Sequence, residues 1–98
     1  MLHKATYVLG FHILASDGEA GHLDDLIFDE NLTIRYLVVD VSHWIAGKSV
    51  LIPYDAVEDI DAPNREIQVS LSREAIKRSP SADTTETELI ETLPPVIL

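Results

Sequence analysis

The stretch that most limits what this chain can fold into is Thr33-Ile34-Arg35-Tyr36-Leu37-Val38-Val39-Asp40-Val41. Its β-branched and aromatic residues suit an extended strand. One face of that strand carries Ile34, Tyr36 and Val38, the other Leu37, Val39 and Val41. A strand with one solvated side alternates apolar with polar residues. This one is apolar on both sides, so a small barrel that buries only its inner face leaves the outer one in need of a cover. Each large side chain left in water forgoes about 1.5–3 kcal/mol of burial. The C-terminal helix, the tail and a second subunit are the candidates for that cover.

The rest of the chain reads as further short strands. Residues 5–15 hold Tyr7, Val8, Leu9, Phe11, Ile13 and Leu14, interrupted by Gly10, which suggests a bulge or a close backbone approach. A turn at Ser16-Asp17-Gly18-Glu19 leads into a strand over 21–28, and Asp29-Glu30-Asn31 turns the chain again. Strands over 48–53, 57–61 and 66–71 follow the loop His43 to Gly47. Six such strands describe an antiparallel barrel or sandwich. Ser72 caps a short helix with Glu74 in its first turn and Lys77 and Arg78 in its last, and Pro80 stops it.

Beyond that helix the composition shifts. The expected organisation is one domain over 1–80 and an acidic tail over 81–98. The tail carries Asp83, Glu86, Glu88 and Glu91 with no basic residue. Thr85 and Glu88 fit a capping box, Pro94-Pro95 ends any helix, and Val96-Ile97-Leu98 is apolar. Such a tether either frays or docks.

Composition excludes several classes of function. With 98 residues and 46% apolar composition, the chain has the size and content of one small globular domain. It has 7 Lys+Arg against 17 Asp+Glu, a formal charge of -10, which argues against unaided nucleic-acid binding. No apolar run is long enough to span a membrane, and no secretory signal is expected. The absence of cysteine removes disulfides, thiolate nucleophiles and Cys-type zinc sites, and the compartment expected is the cytoplasm.

The order of residues over 10–79 resembles the PRC-barrel family. The residues that carry the likeness are Gly10, Asp17-Gly18-Glu19, the run Gly21-His22-Leu23-Asp24-Asp25-Leu26-Ile27-Phe28-Asp29, and Ile34-Arg35-Tyr36-Leu37-Val38-Val39-Asp40-Val41. Trp44-Ile45-Ala46-Gly47-Lys48, Val50-Leu51-Ile52-Pro53-Tyr54 and Leu71-Ser72-Arg73-Glu74-Ala75-Ile76 complete it. The family takes its name from the cytoplasmic domain of the photosynthetic reaction centre H subunit, and it includes the C-terminal domain of a ribosome maturation factor. The resemblance implies an all-β fold, a small six-stranded antiparallel barrel with a short C-terminal helix and tail, used as an assembly or adaptor module. It carries over no catalytic constellation.

No residue set here compels chemistry. Asp24, Asp25, Asp29 and Glu30 lack the order of a calcium loop and read as a solvated face and a turn. Asp25 and Asp40 sit amid apolar neighbours as possible buried carboxylates. One reading gives them raised pKa values and proton relay; the favoured one pairs them with a loop backbone or with Arg35, Lys48 or Arg65. His3, His12, His22 and His43 are scattered with no pair at i, i+4; coordination of zinc or copper across strands is the minor alternative, and no metal is expected. No serine lies in a Gly-x-Ser-x-Gly setting and no Gly-rich loop opens a helix. Trp44 with Ile45 is either a barrel plug or a protein-contact anchor.

The expected function is therefore a non-enzymatic adaptor without cofactor that self-associates, most simply as a homodimer. Its contact candidates are Tyr36, Val38, Trp44, Ile45, Val96, Ile97 and Leu98, with a further, unidentified protein as partner. The alternatives are an accessory factor in ribosome or RNA maturation acting through protein contacts, and an accessory protein of photosynthetic electron transport.

Overall fold

Gly10 decides how the chain enters its sheet. In the computed structural model, which describes residues 5–82, Gly10 takes φ 86°, a left-handed conformation open to glycine without steric cost. It separates a 3-10 turn, Ala5–Val8, from the first strand β1, His12–Ala15. The single strand expected over 5–15 is thus two elements. A turn-forming bond from Phe11 N to Val8 O (3.1 Å) closes the join.

Five more strands follow: β2 (Gly18–Phe28), β3 (Ile34–Asp40), β4 (Ser49–Pro53), β5 (Val57–Asp61) and β6 (Glu66–Val69). A second 3-10 turn, Tyr54–Ala56, joins β4 to β5, and the helix α1, Arg73–Lys77, closes the described chain. The strands form one six-stranded sheet in the order β4-β3-β2-β1-β6-β5. The fold is all-β as expected. One pair departs from an antiparallel arrangement: β1 and β6 run parallel, with Ile13 opposite Ile67. Strands β4 and β5 are the two ends of the sheet, and the turn Tyr54–Ala56 between them packs against β3.

The core lies on the inner face. Leu37 and Val39 of β3 and Val41 just after it join Ile13, Leu23, Val50, Ile52, Ile67 and Val69 in a single buried cluster. The helix adds Ile76, fully buried. Ser72 caps it as expected, its Oγ accepting from Ala75 N at 3.1 Å, and Lys48 Nζ donates to Lys77 O at the other end. Gln68 Nε2 donates to the carbonyls of Leu14, Ala15 and Val69, which clips β1 to β6 where their ladder ends.

Two β-bulges in β2 set which side chains face out. Ile13 pairs with Gly21 and Leu14 with Glu19, leaving Ala20 unpaired. Further on, Leu23 pairs with Val39 and Asp25 with Val38, leaving Asp24 as the extra residue. A bulge moves every later side chain to the other face. Leu26 therefore meets Leu37, and the acids Asp24 and Asp25 both stand in solvent.

Candidate interaction surface

One end of the sheet is open. Leu23, Leu37 and Ile67 form the floor of a cavity of about 410 Å³, and Tyr7, Tyr54 and Ile60 line it from the first 3-10 turn, the second and β5. These last three are among the most exposed apolar side chains described, at 54%, 41% and 44%. Each is held by its local element. The Tyr7 ring packs edge-on to Phe11 with centroids 5.9 Å apart, and Pro53 sets the extended entry to the turn that carries Tyr54. Ile34, at the start of β3, lines this mouth as well.

The outer face of β3 and β4 is little exposed. Tyr36 and Leu51 keep only 8% and 1% exposure although both lie outside the inner cluster, and Val38 is half-buried. Burial pushes the Tyr36 phenol up from its ordinary pKa. The chain after α1 is laid on this edge. Leu51 N donates to Pro80 O, Val50 bridges to Ser81, and Ala82 N donates to Ser49 O at 2.9 Å. Ordered pairing thus extends two residues beyond the expected domain end at 80; Val96, Ile97 and Leu98 lie outside the described residues.

Trp44 faces inward. Its Nε1 donates to Ala20 O at 2.8 Å, the carbonyl of the residue that the first bulge leaves unpaired, and the Arg73 guanidinium stacks over the indole at 4.6 Å. The aromatic ring is half-buried against the core, as is Ile45, whose N–H bonds to Val41 O. The cation–π stack ties α1 to the loop after β3.

Neither Asp25 nor Asp40 is a buried carboxylate, which corrects the expected burial, while Asp40 accepts from the loop backbone at Ser42 N as the favoured reading has it. Among the described residues no charged side chain is buried. Asp25 is turned outward by the bulge at Asp24, and its Oδ1 accepts from Leu26 N at 2.8 Å. Asp40 is half-buried; hydrogen bonds from Ser42, side chain and backbone, hold its pKa below the usual carboxylate value, helped by the nearby His22 and His43. A lowered value leaves no ground for proton relay near neutral pH.

Asp29 is committed to the β2–β3 turn. It accepts from Asn31 N and Thr33 N on one oxygen and from Arg35 Nε, at 2.8 Å, on the other. These bonds, that of Thr33 foremost, lower its pKa. They also fix the turn in which Leu32 takes φ 63°.

A single sheet wrapped about one core, with an open apolar cavity and a capped helix packed on β2 and β4, defines a class: the small all-β module. The family model of the PRC-barrel domain matches residues 4–76, and the chain belongs to the PRC-barrel family. Membership points to a small protein-interaction or adaptor module. A comparison with curated proteins returns no match. Among the described residues no helix is long and apolar enough to cross a membrane.

Proposed function

We propose that this chain is a non-enzymatic adaptor that works by contact and self-associates as a symmetric homodimer. The observation that carries the reading is the open mouth. Tyr7, Tyr54 and Ile60 surround an apolar cavity and remain exposed, whereas contiguous apolar patches on a lone protein usually mark a binding surface. Backbone pairing is a poor alternative route. The β4 edge is occupied by Ser81, and the β5 edge is broken by a bulge and carries Glu58, Asp59 and Asp61. Bulges and charges of this kind blunt an edge against strand addition.

The occupant we assign is the apolar segment Val96-Ile97-Leu98 of a second copy. Ala82 sits at the end of β4 remote from Tyr54, and roughly 14 residues separate it from Val96, a reach of about 46–50 Å when extended. That length spans the strands of either copy. A reciprocal exchange buries two apolar segments in two mouths and closes the assembly as a pair.

Sedimentation equilibrium at micromolar concentration tests it. The full chain should run at twice its own mass. A chain ended after Ala82, which keeps the pairing to Ser49, and the variant Tyr54→Ser/Ile60→Ser should both run as folded monomers. A full-length chain that is strictly monomeric rejects self-association.

A further inference from the structure

Four neighbouring strands bring a row of ligand-bearing residues to the outer surface. Register places Glu66 of β6 beside His12 of β1, His12 beside His22 of β2, and His22 beside Asp40 of β3. Their neighbours Ile67, Ile13, Leu23 and Val39 are buried inside, so the row faces out. The bulge at Ala20 sets Glu19 diagonally next to His12, whose Nδ1 lies 3.3 Å from Glu19 Oε1. The rings of His12 and His22 have centroids 4.9 Å apart, and His43, in the loop after β3, stands with its ring 6.4 Å from His22.

We propose that His12, Glu19 and His22 form a binding site for zinc(II). One ligand atom from each lies within 4.8 Å of the other two. A tetrahedral zinc with nitrogen and oxygen ligands at about 2.0–2.2 Å holds neighbouring ligand atoms about 3.3–3.6 Å apart. The His12–Glu19 separation already has the length of one such edge. The remaining gaps close by rotation of exposed side chains, since Glu19 and His22 both stand in solvent. Their backbones need not move, because the β1–β2 ladder fixes them.

The donor set selects the metal. Two imidazoles and one carboxylate are the ligands of open zinc sites, with a fourth position left for water or an incoming group. Magnesium and calcium take oxygen ligands and gain little from imidazole. Asp40 and Glu66 flank the set with negative charge, and the formal charge of -10 raises the local concentration of cations. The sequence hides this site because its ligands are 7 and 3 residues apart in the chain, across a turn and a bulge. It is assembled by register.

The experiment is zinc titration of the untagged full-length chain by calorimetry, with thermal melts as the folding control. About one zinc should bind per chain, and His12→Gln and His22→Gln should each weaken binding more than about tenfold. His3→Gln should bind as the parent does, and magnesium should not compete. Should His12→Gln fail to fold, exposed His22 decides the matter alone. Absence of zinc binding, binding unchanged in His22→Gln, binding lost in His3→Gln, or equal competition by magnesium would each overturn the proposal.

Discussion

At Gly21 the fold depends on the absence of a side chain. The residue lies in β2 at φ 151°, and a Cβ there would overlap the carbonyl oxygen of Asp40 on the neighbouring strand. Backbone cannot give way as a flexible side chain can, so Gly21→Ala should cost at least about 1–3 kcal/mol, the usual scale of such strain. A lowered urea midpoint with an unchanged m-value would register it. Asp29 makes a second prediction, of pH dependence. Its folded pKa lies below the ordinary 3.8, so its contribution is full above that value and is lost as pH falls through the lowered one. Asp29→Asn should therefore be less stable than the parent near neutral pH. The difference between the two should shrink in acid, as urea melts at both pH values would record; a gap that stays constant with pH would contradict the assignment.

Elements differ in how openly the sequence declares them. Strands β3 and β4 were legible because β-branched runs end in turn residues, and α1 because Ser72, Glu74, Lys77 and Pro80 punctuate it in order. Ser72→Ala should remove the bond to Ala75 N and cost about 0.5–2 kcal/mol, the range for N-cap loss. Hydrogen exchange at the amides of α1 should rise well before that of β3. The parallel β1–β6 pair was not legible, since residue types record that a segment is extended but not which strand it meets. The two bulges were equally silent. Alternation counted from Leu23 puts Asp25 inside, and only the extra residue Asp24 in the ladder reverses it. The same kind of slip at Ala20 supplies the carbonyl that holds Trp44 and brings Glu19 to His12. Much of what the candidate sites use therefore comes from irregular pairing, which leaves no period in the sequence to read.

For the whole molecule the opposing forces in self-association are charge and apolar contact. Two copies at a formal -10 each repel across any shared surface, while Tyr7, Tyr54 and Ile60 around the mouth gain by leaving water. Salt acts on the two unequally. Raising ionic strength from about 0.01 to 0.15 M shortens the screening length from about 30 to 8 Å, which weakens repulsion between distant charges and leaves close apolar packing nearly untouched. The dimer proposed here should thus tighten as salt is added, the reverse of an assembly held by ion pairs. Sedimentation at fixed protein concentration across that range reads the shift directly, with the chain ended after Ala82 as a reference that stays monomeric throughout. Dissociation on adding salt would mean that charge complementarity holds the pair, and the apolar mouth would then lose its place as the contact.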